Sequence, residues 1–463
     1  MSSRLFNTSD PRPIHFVGIA GAGMSALAEL FVRRGISVTG CDVVLAGVDD
    51  LRRLGVAMTQ GHDAAHVAGA RALVITSAMP REHPELDAAR GAGVPIVRRA
   101  EALGGAVNNG TVVAVAGTHG KTTTTVMTTE ALATAEMSPT GVVGGRVGAW
   151  GGNLRFGGER LYVVEADEYD RSFLALRPTV AVVTNVEADH LDVYADLADI
   201  RRTFERFLEP AHTIVLCEDD AGASTLSVPT GAQVIRYSTM SRNARLLGEA
   251  SPLNDGRTVV AVTFDGECLG DVVLQVPGLH NVRNALAAMA AGLSLGASME
   301  GLRAGLEAFR GVERRFQRLG QVNGIDVVDD YAHHPTEVSA TLAAARTAYP
   351  DRRLVVAFQP HLYSRTRDFA AGFAASLATA DVALVSDIYP AREQPLPGVS
   401  SALITDRMAA LGRAPAWTGT RAELGEALAT LVRSGDVVLT LGAGDITKSG
   451  PELLQRLTTG ARA

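Results

Sequence analysis

The stretch Val112-Val113-Ala114-Val115-Ala116-Gly117-Thr118-His119-Gly120-Lys121-Thr122-Thr123 decides the fold. Its apolar run reads as a buried strand, its glycines as a tight turn, and Lys-Thr-Thr as the start of a helix. A helix N-terminus leaves backbone N–H groups unpaired, and its dipole draws an anion. The pattern predicts a phosphate cradle made by Gly117, Thr118, His119, Gly120 and Thr123. Lys121 would reach the β/γ-phosphates and the Thr122 hydroxyl would hold Mg2+. The strict pattern G-x-x-x-x-G-K-[ST] asks for glycine at position 115, where this chain has Val115. The motif is therefore a shortened G-x-x-G-K-T, and a glycine-rich turn after a core strand is its plain structural alternative.

Composition sharpens that reading. The chain has 43 basic residues, yet lysine occurs only at Lys121 and Lys448. Drift toward arginine explains the scarcity but not why one lysine sits in the loop. A compact ammonium fits among triphosphate oxygens where a planar guanidinium does not. Lys448 reads equally well as a surface lysine in a C-terminal turn.

At 463 residues the chain has material for about three domains, and 46% hydrophobic with 20% charged residues is ordinary for a globular protein. A net charge of −7 argues against general nucleic-acid affinity. Cys41, Cys217 and Cys268 show no C-x-x-C spacing and are expected to be buried as small hydrophobes. The polar segment Met1–Pro13 lacks the apolar core of a signal peptide, and no apolar run reaches membrane-spanning length. A cytoplasmic location without membrane insertion is the expectation.

Strands alternate with helical segments throughout, which predicts α/β architecture with parallel sheets. Three blocks are expected, over residues 1–107, 108–312 and 313–463. In the first, strand Ile14–Val17 leads into Gly21-Ala22-Gly23-Met24-Ser25-Ala26, a G-x-G-x-x-A loop, and Asp42 ends the next strand about 20 residues on. Such glycines let backbone approach a pyrophosphate, and the acid would take a ribose hydroxyl. NAD and a UDP-sugar share that chemistry, so the loop points to a dinucleotide-like ligand; tight strand–helix packing is the alternative. A further strand, Ala72–Thr76, runs into Ser77.

In the second block, Glu165-Ala166-Asp167-Glu168-Tyr169-Asp170 follows a strand, where hard oxygen donors suit Mg2+. Glu165, first in the cluster, is the expected ligand; a solvated acidic loop is the alternative. Thr184–Asp192 repeats the arrangement, with His190 between Asp189 and Asp192 as a second metal ligand or the group orienting a catalytic water. Asn281 either reads an adenine edge or, with Asn284, caps a helix. In the third block, Arg314 and Arg315 could clamp phosphates. Asp329–Glu337 and Phe358–Thr366 each crowd polar groups after a strand, where α/β sheets hold ligands.

Taken together and in order, GTHGKTTT, EADEYD, TNVEADHLD, HNVRNALAA, DDYAHHPTE and QPHLYSRT make the chain resemble the Mur ligases of bacterial cell-wall synthesis, over essentially its whole length. The resemblance implies a Rossmann-like N-terminal domain for the UDP-sugar, a central P-loop ATPase domain with a parallel or mixed sheet, and a Rossmann-like C-terminal domain. The loop GIAGAGMSALA and the segment YPAREQP point to the L-alanine-adding branch. The implied reaction joins L-alanine to UDP-N-acetylmuramate using ATP and Mg2+, with Mn2+ as a substitute, in a monomer or weak homodimer.

By the same resemblance, Lys121 and Thr122 serve ATP and Mg2+, and Glu165 and His190 serve the metals. Asn281, Arg314 and Asp330 contact ATP, and Gly21, Ala22, Gly23, Met24, Asp42 and Ser77 contact the UDP-sugar. Tyr331, His333, His361 and Arg365 shape the amino-acid and acyl-phosphate site; Lys121, His190, His333 and Arg365 carry the catalytic roles. Two departures stand out: Leu362 replaces a residue that is often basic, and Tyr169 replaces a more usual serine. Several relatives carboxylate a lysine to bridge two metals, but this chain has no lysine between Lys121 and Lys448. A ligase for a tripeptide, a nicotinamide oxidoreductase and a regulatory ATP-binding protein are the competing readings.

Overall fold

The structure is a computed structural model that describes residues 5–76, 79–80, 82–253 and 256–460. Its first sheet comprises β1 (Ile14–Val17), β2 (Val38–Asp42), β3 (Ala57–Gln60), β4 (Ala72–Ile75) and β5 (Ile96–Arg98). They run in the order β3-β2-β1-β4-β5 with every pairing parallel. All four residues of β1 are buried, as a strand central to a two-layered sheet requires. Helix α1 (Ala22–Arg33) follows the first glycine loop and buries Met24, Ala26, Leu27, Leu30 and Phe31.

The second sheet holds β6 (Thr111–Ala116), β7 (Thr140–Val147), β8 (Gly152–Arg155), β9 (Leu161–Glu165), β10 (Val180–Val183), β11 (Thr213–Cys217), β12 (Gln233–Ser238), β13 (Leu246–Pro252), β14 (Thr258–Phe264) and β15 (Glu267–Leu274). The order is β15-β14-β13-β12-β11-β10-β6-β9-β7-β8. β6 pairs in parallel with β9 and β10, whereas β7 and β8 pair antiparallel, so the sheet is mixed. Helix α2 (Lys121–Thr134) starts one turn after β6 ends. Of its six buried threonines, the four with no exposure, Thr124, Thr125, Thr128 and Thr129, remain compatible with the interior because each hydroxyl finds a partner. Thr125, Thr128 and Thr129 donate to the carbonyl four residues back, and Thr124 donates to Asn284 Oδ1 at 3.1 Å.

The third sheet holds β16 (Gln317–Val322), β17 (Ile325–Asp330), β18 (Leu354–Phe358), β19 (Val382–Ser386), β20 (Trp417–Gly419) and β21 (Val437–Leu441), in the order β16-β17-β21-β18-β19-β20. Only β16 is antiparallel to its neighbour. β17 and β18 flank β21, so the loops leaving them sit over the end of the same strand. Val328, Val356, Phe358, Phe373, Leu377 and Leu439 form the core on one face; Val327, Val355, Leu384, Val438 and Leu453 form it on the other.

The chain divides into two compact units. One comprises residues 1–249, 261–272 and 283–308, and the other residues 250–260, 273–282 and 309–463. Two cysteines are buried as expected, but Cys268 is exposed, because it lies on β15, whose side chains are largely solvent-facing. No helix among the described residues is long and apolar enough to cross a membrane.

Candidate active site

In the first unit, the loop after β6 closes back on the end of β10. Gly117 has φ +138°, and a Cβ there would lie 2.0 Å from Thr184 Oγ1. Only glycine fits that conformation and that gap. Thr118 N donates to Asn185 O at 3.0 Å and His119 N to Asn185 Oδ1 at 2.7 Å. Asn185 Nδ2 and Thr184 Oγ1 donate to His119 O. Gly120, at φ +80°, caps α2 in the left-handed conformation, and a Cβ there would meet Asn284 Oδ1 at 2.6 Å. The loop is thus held by side chains from two other segments. The first N–H groups of α2 remain directed along its axis toward an anion.

Lys121 lies across this loop. Its Nζ donates to Gly117 O at 2.8 Å, Thr118 O at 3.3 Å and Glu168 Oε2 at 2.8 Å. Burial works against its charge, but the carboxylates of Glu168, Asp167 and Glu165 hold its pKa above the ordinary lysine range. Lys121 is therefore a fixed cation, poised where an anion would sit. The Thr122 hydroxyl donates to Glu165 Oε1 at 3.0 Å, and Gly144 N donates to Glu165 Oε2 at 2.6 Å. The structure brings these two sequence-predicted metal ligands together.

His190 stands with a different acid. Its Nε2 lies 3.7 Å from Glu168 Oε1 and 3.8 Å from Asp189 Oδ2, and its ring meets Tyr169 edge-on at 5.1 Å. Its backbone has φ +53°. Glu168 therefore joins Lys121 to His190, a role the sequence left unassigned. Its only sequence signal was membership of the acidic cluster. Asn284 stands against the phosphate loop, its Oδ1 accepting from Thr124 Oγ1 at 3.1 Å.

The first glycine loop is also preorganised. Asp42 Oδ2 accepts from Ala20 N at 2.9 Å, so the acid at the end of β2 holds the loop that begins α1. A Cβ on Gly23 would meet Arg99 Nη1 at 2.9 Å. Gly21 and Ala22 are exposed at the loop, whereas Met24 is buried. Ser77 lies outside the described residues.

In the second unit, Arg314 (φ +61°) donates from Nη2 to Gly442 O at 2.7 Å and from Nε to Asp329 Oδ2 at 3.3 Å. Its guanidinium lies 4.7 Å from the centre of the Tyr331 ring, a cation–π geometry. His333 Nδ1 contacts Tyr331 O at 2.9 Å and Glu337 Oε2 at 3.1 Å. The His333 and His361 rings are 6.0 Å apart, and Arg365 Nη1 lies 3.4 Å from His361 Nδ1. Tyr331, His333, His361 and Arg365 thus converge where the loops after β17 and β18 meet. Leu362 occupies φ +69° and is buried, so it contributes no charge there. Asn281 donates from Nδ2 to Pro277 O at 2.7 Å.

Asp330 is buried with both carboxylate oxygens used. Oδ2 accepts from Phe316 N and Oδ1 from Ala332 N, each at 2.8 Å. Burial pushes its pKa up to about 6, against the pull of Arg315. An acid raised in the folded state costs stability once ionised, so the penalty is absent below pH about 4 and complete above pH about 6. Urea unfolding at pH 4 and pH 7 should show this as a term of roughly 3 kcal/mol that Asp330→Asn lacks. Wild-type stability minus that of the variant should therefore fall by about 3 kcal/mol between pH 4 and pH 7, whichever protein is the more stable at pH 4; a difference that rises or stays constant refutes the assignment.

The matches to known proteins cover nearly the whole chain. Residues 13–111 match the Mur ligase family catalytic domain, residues 115–292 the Mur ligase middle domain, and residues 314–444 the Mur ligase glutamate ligase domain. The chain belongs to the Mur ligase family. Among the relatives of this Mur ligase, the UDP-N-acetylmuramate–L-alanine ligase of Renibacterium salmoninarum is 47% identical over 97% of both chains. The crystal structure of UDP-N-acetylmuramate–alanine ligase from Thermotoga maritima superposes with a TM-score of 0.82 at 30% identity, covering 97% of this chain and 99% of that one. A murein peptide ligase from Psychrobacter arcticus superposes at 0.71 and 26% identity, covering 96% and 98%. The three-domain α/β architecture expected from sequence, with a mixed central sheet, is that of these Mur ligases.

Proposed function

We propose that this Mur ligase joins L-alanine to the lactyl carboxylate of UDP-N-acetylmuramate, with conversion of ATP to ADP and phosphate, in the synthesis of peptidoglycan precursors. The observation that carries this reading is full-length identity of 47% to an L-alanine-adding ligase, combined with a lysine-bearing phosphate loop. Use of ATP and Mg2+ goes with a Mur ligase catalytic domain. The hydroxyl of Thr122 and the carboxylate of Glu165 suit a hard dication that would neutralise phosphate charge during transfer.

A carboxylate repels nucleophiles and has no leaving group. Attack of a lactyl oxygen on the γ-phosphorus breaks the bond to ADP and forms an acyl phosphate. Lys121 stabilises charge on the transferring group through position and electrostatics. The amine of L-alanine then attacks the acyl carbon, the bond to phosphate breaks, and the amine loses its proton. We assign UDP-sugar contacts to Gly21, Ala22, Gly23 and Asp42, and the amino-acid site to Tyr331, His333, His361 and Arg365. For Asn281, Arg314 and Asp330 as ATP contacts, and His190 as a metal ligand, support comes from the family resemblance.

Incubation with ATP, Mg2+ and UDP-N-acetylmuramate, with L-alanine in one reaction and the murein tripeptide in another, tests the assignment by product mass. A gain of one alanine residue, with phosphate release that needs every component, is expected. An adduct with tripeptide alone would move the chain to the peptide-ligase branch.

A further inference from the structure

A second constellation of donors lies in the first sheet, apart from the phosphate loop. His15 on β1, Cys41 on β2, His66 in the turn at Ala64–Val67 and Glu85 in the helix Pro84–Ala92 converge in the interior. One nitrogen, sulfur or oxygen from each lies within 4.8 Å of all the others. Glu85 Oε1 is 2.7 Å from His66 Nδ1, 3.0 Å from Cys41 Sγ and 3.8 Å from His15 Nε2. Its other oxygen faces His62 Nδ1 at 3.5 Å and His83 Nδ1 at 3.8 Å.

Hydrogen bonds satisfy Glu85 Oε1, which takes Cys41, His66 and Asp63 N, but not the rest of the cluster. Glu85 is fully buried, yet its Oε2 has no hydrogen-bond partner among the described residues, and neither do His15 Nε2 and His83 Nδ1. Such orphaned buried atoms are costly unless something else meets them. His15 is also oriented as a ligand would be. Its Nδ1 lies 2.9 Å from Thr39 Oγ1, which turns Nε2 into the cluster.

We propose that His15, Cys41, His66 and Glu85 form a binding site for a divalent transition cation of the Zn2+ class. His62 and His83 supply a further imidazole pair at the second Glu85 oxygen. Metal bonds of ~2.0–2.3 Å would space tetrahedral donors about 3.3–3.8 Å apart, so the present spacings need only small side-chain adjustment. Imidazole and thiol donors select a borderline metal over Mg2+, whose oxygen donors are at Thr122 and Glu165. On binding, the Cys41 thiol proton passes to solvent, and the single His66 proton moves from Nδ1, where it faces Glu85, to Nε2, freeing Nδ1 for the metal. The site is independent of the ligase assignment.

Co2+ is the probe, titrated into full-length protein carrying Cys268→Ser, so that the exposed thiol cannot respond, in excess Mg2+ to saturate oxygen sites. The expected result is one Co2+ per chain, with a thiolate charge-transfer band and the visible bands of four-coordinate cobalt, both removed by one equivalent of Zn2+. His66→Asn, at the least buried of the four ligands, should weaken Co2+ binding at least about tenfold while circular dichroism stays unchanged. Absence of the thiolate band in the first protein overturns the proposal. So does His66→Asn protein that binds Co2+ with the same affinity and spectrum.

Discussion

Replacing Lys121 with alanine is expected to lower turnover by about a thousandfold, the scale seen when one preorganised charge or donor is removed from a transferring group. Affinity for the UDP-sugar should be unchanged, because the glycine loop and Asp42 belong to a different sheet. The fold should survive. Lys121 neutralises Glu168, but burial already lifts the Glu168 carboxyl to about 7, so without its partner it takes up a proton at neutral pH. The remaining cost is that of a disturbed buried hydrogen bond, about 1–3 kcal/mol. Steady-state kinetics beside calorimetric titration of UDP-N-acetylmuramate separates the effects. Loss of UDP-sugar affinity in parallel with turnover would contradict the division of labour between the two loops.

The second large effect concerns a methyl group. Gly117→Ala should cost about 4 kcal/mol or more and remove ATP binding, a loss in the exceptional range for one substitution. The new Cβ would lie 2.0 Å from Thr184 Oγ1 and 3.1 Å from the Asn185 backbone nitrogen and oxygen. Thr184 cannot swing away without surrendering its 2.6 Å bond to His119 O, and the φ of +138° is strained for any other residue. Adding Thr184→Ala should recover part of the stability but not the strain. Thermal unfolding within about 1 kcal/mol of wild type would show that the loop does not pack on β10 this closely.

The strands that position the site were legible residue by residue. Val112–Ala116 and Leu354–Phe358 are buried throughout, so their apolar runs stand out; Leu161–Glu165 is apolar up to its terminal acid, and Ile325–Asp330 is buried although three of its six residues are aspartate. β12 to β15 were not legible, because mixed polar strands such as Glu267–Leu274 carry no continuous apolar signal. At the site, Thr122 and Glu165 follow from strand ends and helix starts, which local pattern fixes. Glu168 does not. Its approach to Lys121 depends on the turn that follows it, where Asp170 and Arg171 both adopt φ +54°. Asn281 and Asn284 differ by less than one helical turn, and only tertiary packing shows that Asn284 meets the loop.

The burial of Lys121 also makes the chain a reporter of its own opening. A protease that cuts only after lysine has two targets in this sequence, Lys121 and Lys448. Lys448 is exposed, whereas Lys121 is enclosed by its loop and its acid. Digestion should first release residues 449–463 and leave the rest whole. The fragment ending at Lys121 would then accumulate at the frequency with which the nucleotide loop unlatches.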